Sequence, residues 1–131
     1  RGGIKMPVSF VKLSRPPQGE RVLDAKVAEQ VKVMLEAVVN EAAVNGQVPG
    51  YRVLGKTGTI RMLGPKGYDP NRHIAFFAGA APASNPRLVV MVVLQEPHKG
   101  YYSAQVVAPI FSQIMGGALR ALDIPPDKVD N

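Results

Sequence analysis

The chain has 131 residues, 46% of them hydrophobic and 20% charged, with a formal net charge of +6. That is one ordinary domain with enough apolar surface for a core, which excludes a disordered chain. No apolar run nears the roughly 18 residues of a membrane span, and the absence of cysteine excludes both a disulfide scaffold and a thiolate metal site.

Two histidines, His73 and His98, are too few for a His-rich metal site, and His98 reads as a loop residue. The lack of cysteine suits an oxidising compartment such as the periplasm, as it suits many cytosolic domains. No secretory signal is visible, and Arg1 follows no Met, so the chain reads as a piece of something longer.

In chain order, residues 1–23 contain Gly2-Gly3, Pro7 and Pro16-Pro17, which predicts an extended segment without a helix. A first helix is predicted over 24–39. Asp24 is its N-cap, and Val27, Val31, Met34, Leu35 and Val38 form one buried face. The stretch Asn45–Gly50 breaks it. Three strands follow at 51–61, 73–80 and 88–94. The third is apolar throughout, so both its faces are expected to be covered, in part by another segment of the same parent domain. Residues 62–72, with Gly64, Pro65, Gly67 and Pro70, read as a long loop of the kind that often carries function. A second helix is predicted over 103–122, with Val107, Phe111, Ile114, Met115, Ala118 and Leu122 on its inner face. Pro109 should kink its first turns, and Gly116-Gly117 suggests close packing against a sheet. Residues 123–131 read as a tail. The expected fold class is α+β: an antiparallel three-strand meander, 51–94, flanked by helices.

Residues 50–72 carry Arg52, Lys56, Arg61, Lys66 and Arg72 against one acid, Asp69. Such a stretch suits nucleic acid, an anionic head group or a substrate carboxylate, or is simply a solvated basic face. Within it, Lys56-Thr57-Gly58-Thr59 interrupts the first strand. A strand interior favours β-branched or apolar side chains, and a glycine there marks a bulge or the close approach of another group. Two hydroxyls and an ammonium at this spacing can meet a carboxylate. The competing reading is an edge strand with incidental polar residues.

Lys-Thr-Gly is one of three motifs, with S-x-x-K and S-D-N, that mark β-lactamases and penicillin-binding proteins. Around it stand Pro49-Gly50-Tyr51-Arg52-Val53, Phe77-Ala78-Gly79-Ala80-Ala81-Pro82-Ala83, Gln95-Glu96-Pro97, Ala108-Pro109-Ile110-Phe111 and Met115-Gly116-Gly117-Ala118-Leu119. With these, from about Gly2 to about Pro126, the chain resembles the C-terminal part of the transpeptidase domain of class B penicillin-binding proteins, most closely the septal, cell-division type called penicillin-binding protein three.

The resemblance implies a parent D,D-transpeptidase that cross-links peptidoglycan stem peptides, is acylated by β-lactams and uses no cofactor or metal. It implies that the Thr59 backbone N–H lies in the oxyanion hole and that Thr57 and Thr59 bind a carboxylate. Lys56 supplies positive charge beside a Ser-x-Asn motif, and Gly58 keeps the strand open to the ligand. Tyr101, Tyr102 and His73 stand where the family places aromatics near the pocket, and Arg61 could attract anions. For these four, packing or plain exposure competes with ligand contact.

The chain departs from the family in lacking Ser-x-Asn altogether. Ser9-Phe10-Val11-Lys12 fits S-x-x-K by letter, but only 43 residues separate Lys12 from Lys56, and residues 7–12 match a different, extended family segment. The chain is therefore expected to begin after both missing motifs and to be inactive alone. Its expected partners are the remainder of the transpeptidase domain, stem peptides, β-lactams and divisome membrane proteins, with no nucleic acid. Its expected location is the periplasmic side of the inner membrane. An elongation-type enzyme, a non-catalytic cell-wall or divisome binding module and, last, a basic nucleic-acid-binding domain are the alternatives.

Overall fold

The computed structural model describes residues 2–98 and 100–128. Tertiary contacts divide the chain into two compact units, Arg1–Met34 and Leu35–Asn131.

The first unit is built on a two-stranded antiparallel ribbon, β1 (Ile4–Lys5) with β2 (Glu20–Arg21). Gly3 has a φ of 87°, and its carbonyl accepts the N–H groups of Val22 and Leu23. A side chain there would run into the Leu23 carbonyl, so only glycine closes this ribbon. Residues 7–19 between the strands form neither helix nor strand and bend at residues 10–11 and 14–15, so Pro7 and Pro16-Pro17 exclude a helix there without drawing the segment straight. Helix α1 (Ala25–Ala37) follows. Asp24 caps it as expected, its Oδ1 accepting the N–H of Lys26 at 2.8 Å. The predicted inner face is corrected: Val27, Val31 and Met34 are exposed, and burial starts only near the helix end. Periodicity marks a face that is apolar, not what covers it.

In the second unit α1 relaxes into a wider turn, Val38–Ala42, and a tight 3-10 turn, Val44–Gly46. The meander then forms in the predicted order as one antiparallel sheet, β3 (Leu54–Gly64), β4 (Gly67–Ala81) and β5 (Leu88–Gln95), with β4 central. The expected long loop at 62–72 is absent. β3 and β4 continue to a turn of two residues, Pro65 and Lys66, with Gly67 at φ 108°. Between the pairs Arg61–His73 and Leu63–Tyr68 the register shifts, and the extra residues of β4 include Pro70. A bulge is where a sheet tolerates proline, so the Gly and Pro residues mark a bulged hairpin.

β5 alternates rather than being covered on both sides. Leu88, Val90, Val92 and Leu94 pack toward the core, while Val89, Met91 and Val93 are exposed, Val89 at 79%. All eight positions but Gln95 are apolar, so the sequence hides the period of two that the fold shows.

The second predicted helix is two. α2 (Ser103–Val106) ends at Val107, and α3 (Ala108–Ala121) begins with Pro109 in its first turn, where a missing N–H costs nothing. Ala108, Phe111, Met115 and Leu119 face inward, with Gly116; Ile114 and Leu122 are exposed instead. Phe111 and Phe77 stack at 4.5 Å in the core centre. Gly55 and Gly46 leave room for the Phe77 ring and Gly79 for the Phe111 ring, since a Cβ at each would fall within 3 Å of these rings. Gly116 abuts Val48 beyond the 3-10 turn rather than the sheet, and Gly117 faces open space.

The predicted tail is partly a latch. Tyr51 donates its hydroxyl to the Ile124 carbonyl at 2.6 Å, and Asp127 accepts the N–H groups of Arg52 at 2.8 Å and Ser84 at 3.0 Å. Its last three residues lie outside the described ones.

Candidate active site

β3 is an edge strand of the sheet, and Lys56–Thr59 lies in its first half. Successive side chains alternate in face. Thr57, Thr59 and Arg61 pair with Phe77, Ala75 and His73 and share the face that carries the helices. Lys56, Gly58 and Ile60 pair with Ala78, Phe76 and Ile74 on the opposite face.

A cleft of about 410 Å³ opens on the helix-bearing face. Thr57 and Thr59 form one side; the turns at residues 42–45 and the start of α2, residues 102–105, form the rest. Asn45 ties these walls together through its amide, which donates to the Ala104 carbonyl at 3.2 Å. Ser103, 2% exposed, sits between wall and strand. Its hydroxyl lies 2.9 Å from that of Thr59 and donates to the Gly58 carbonyl.

The structure thus brings together Thr57, Thr59 and Tyr102. Tyr101 meets Tyr102 edge-on at 5.3 Å, and His73 stacks on Tyr101 at 4.5 Å, so an aromatic row leads from β4 to the cleft. His73 is buried, and its Nε2 has no hydrogen-bond partner among the described residues. Arg61 is exposed beyond the cleft, opposite His73. Lys56 is not gathered in: it lies on the other face, its Nζ donating to the Thr57 carbonyl at 2.9 Å. Gly58 has a packing reason of its own, because a Cβ there would sit 2.0 Å from the Phe76 ring. Nothing in the sequence singles out Ser103, because a serine at a helix start reads as an ordinary cap.

The basic stretch is partly neutralised. Arg52 grips Glu36 with two 2.7 Å bonds, and Arg72 bonds Glu96 at 2.7 Å. The bond from Arg72 holds the Glu96 carboxyl below its ordinary value. Among the described residues no three His, Asp or Glu side chains gather as a metal site would need. None of the described helices is long and apolar enough to cross a membrane. A hollow of about 370 Å³ at the β3–β4 turn, lined by residues 64–70, contains none of the motif residues.

Ser9-Phe10-Val11-Lys12 is not helical. Ser9 Oγ turns back onto its own backbone, donating to the Val11 carbonyl at 2.8 Å. An S-x-x-K nucleophile needs its Lys one helical turn on, and this segment does not provide that.

Residues 1–116 match the family described as the penicillin binding protein transpeptidase domain. The chain is 43% identical over 128 residues to peptidoglycan D,D-transpeptidase FtsI of Escherichia coli strain K12, covering 95% of this chain and 22% of that protein. It is 42% identical over 129 residues to the probable peptidoglycan D,D-transpeptidase PenA of Neisseria meningitidis serogroup A, covering 96% of this chain and 22% of that protein. The solved apo structure of the TP domain of Burkholderia pseudomallei penicillin-binding protein 3 superposes with a TM-score of 0.86 at 44% identity, covering 98% of this chain and 40% of that one. The chain therefore spans 22% of the length of these two curated relatives.

Proposed function

Since the chain belongs to the penicillin binding protein transpeptidase family, we propose that it is the C-terminal part of the catalytic domain of a serine-type peptidoglycan D,D-transpeptidase of septal type. The observation that carries this reading is the edge strand itself, with Thr57 and Thr59 of Lys56-Thr57-Gly58-Thr59 lining a cleft.

In this reading a serine outside the 131 residues attacks the carbonyl of the penultimate D-Ala of a stem peptide. The peptide bond breaks, D-Ala leaves with the proton it needs, and an ester to the serine remains. An amine of a second stem then displaces the serine, forming the cross-link. β-Lactams open on the same serine and leave the ester.

The residues of this chain bind and stabilise. Thr57 and Thr59 hold the carboxylate of the terminal D-Ala or of a β-lactam, and the Thr59 N–H, by family resemblance, meets the developing oxyanion. A lost donor of that kind costs about 2.7–4 kcal/mol in a hydrolase. Lys56 turns from the Thr57 carbonyl to a Ser-x-Asn hydroxyl of the remaining domain. That domain also covers the face bearing Ile60, Val89, Met91 and Val93, exposed apolar side chains that water disfavours. Tyr102 borders the ligand, Tyr101 and His73 stand behind it in the aromatic row, and Arg61 attracts anions from beyond the cleft. The septal assignment is supported by the likeness to a penicillin-binding protein 3. The parent works on the periplasmic side of the inner membrane, anchored by a segment outside this chain, beside divisome membrane proteins.

The test is to supply the full-length protein with a D-Ala-D-Ala stem peptide and a labelled amine acceptor. Release of one D-Ala for each labelled product supports the reading. A protein that binds peptidoglycan but releases no D-Ala is the non-catalytic binding module instead.

A further inference from the structure

We infer that Ser103 is a positioning residue that holds the Thr59 hydroxyl proton away from the cleft. An anionic ligand then has to win that proton back before Thr59 can bond it. This rests on the proposed role of Thr59 in carboxylate binding.

Three oxygens and two protons make the argument. A serine or threonine hydroxyl has one proton to give and two lone pairs to receive. Ser103 Oγ donates to the Gly58 carbonyl, which can only accept. Its one proton is thereby used. The Thr59 hydroxyl, 2.9 Å away, can then bond Ser103 only by donating to it. Thr59 is left facing the cleft with lone pairs, and a carboxylate, which also only accepts, finds no donor in that hydroxyl. Ser103 is 2% exposed, so water does not readily substitute for it. The arrangement joins the start of α2 to the Lys-Thr-Gly strand at the residue where a ligand would lie.

Binding a carboxylate therefore requires the Thr59 O–H to rotate out of its bond to Ser103. A neutral hydrogen bond of this kind is worth enough that its removal shifts an equilibrium about two- to tenfold. Deleting the Ser103 hydroxyl frees the Thr59 proton for the ligand.

The experiment uses the full-length protein that carries this chain. Acylation rates of benzylpenicillin and of its methyl ester are measured by competition with a fluorescent penicillin, for wild type, Ser103→Ala, Thr59→Val and the double variant. Thermal melts are recorded for each. The expected result is that Ser103→Ala raises the benzylpenicillin rate about two- to tenfold. The ester, which has no carboxylate, gains less. In the Thr59→Val background the same substitution has no effect, because there is no hydroxyl left to release. Ser103→Gly, which also lacks the hydroxyl, gives the same rise should the alanine variant fold poorly. A benzylpenicillin rate that stays level or falls, an equal change with the ester, or an equal change in the Thr59→Val background would each overturn the inference and leave Ser103 a purely structural bond. A wild-type protein that no penicillin acylates would instead overturn the functional reading on which it rests. An acylated wild type keeps that reading whichever way the Ser103 variants go.

Discussion

Gly58→Ala and Gly79→Ala add the same methyl group to adjacent strands and should behave differently. At Gly79 the new Cβ would lie 2.5 Å from Cζ of Phe111 and 2.9 Å from the Leu54 carbonyl. Neither can give way. Phe111 is fully buried and stacked at 4.5 Å on Phe77, whose own ring is hemmed in by Gly55 and Gly46. The insertion falls at the upper end of overpacking costs, about 2–3 kcal/mol. At Gly58 the Cβ would come even closer, 2.0 Å from Cζ of Phe76. Yet that ring is half-buried within this chain and borders the remaining domain rather than the packed core, so its far end can shift along that boundary. The cost is then an altered rotamer and some lost burial, about 1 kcal/mol. The displaced ring moves over the face that Lys56 shares, so acylation should fall by about tenfold or more (~1.4 kcal/mol in the barrier). Denaturant melts and fluorescent-penicillin labelling of the full-length protein read the two effects separately. If Gly58→Ala destabilises as much as Gly79→Ala, the Phe76 ring is locked and the motif glycine is structural. If labelling is unchanged, the Lys56 face has no part in the reaction.

Gly117→Ala should stabilise by about 0.5–1 kcal/mol, because a mid-helix glycine with nothing within 4 Å gains helix propensity without a clash; Gly116→Ala, 3.2 Å from Val48, should gain less in the same melts. Asp127 should make stability acid-sensitive. Burial opposes its ionisation, but the N–H groups of Ser84 and Arg52 and the Arg52 charge outweigh that and hold its carboxyl below the ordinary 3.8. Its contribution is thus complete above 3.8 and is lost as pH falls through the lower folded value; the gap between wild type and Asp127→Asn should shrink in melts taken from pH 7 toward pH 3, and a gap that widens would refute the sign. Thr59→Ala keeps the backbone N–H and should lower acylation about tenfold, the loss of one bond to a charged group. Thr59→Pro removes that donor and should lower it more than a hundredfold; equal losses in folded variants would remove the oxyanion role.

Much of this was legible because local chemistry decided it. Asp24 announces a cap, Pro16-Pro17 a segment without a helix, and Lys56–Thr59 a strand that carries polar groups where packing prefers apolar ones. What failed depended on distance or on ambiguity of pattern. Gly64, Pro65, Gly67 and Pro70 fit a loop and a bulged hairpin equally well until pairing is known. The apolar run of β5 cannot reveal which residues face inward. Pro109 signals a disturbed helix but not that Val107 will separate two helices. Ser103 and Asp127 act on Thr59, Arg52 and Ser84, partners 44, 75 and 43 residues away, and no local pattern announces such contacts.

In the proposed enzyme this chain supplies the Lys-Thr-Gly strand while another segment supplies the nucleophile. The direct measurement is to incubate the full-length protein with a penicillin, confirm the adduct by intact mass and locate it by peptide mapping. One adduct per protein is expected, on a serine of an S-x-x-K motif outside these 131 residues, with Ser9 and Ser103 unmodified. An adduct on Ser9 or Ser103, or none at all, would rule out that division of labour.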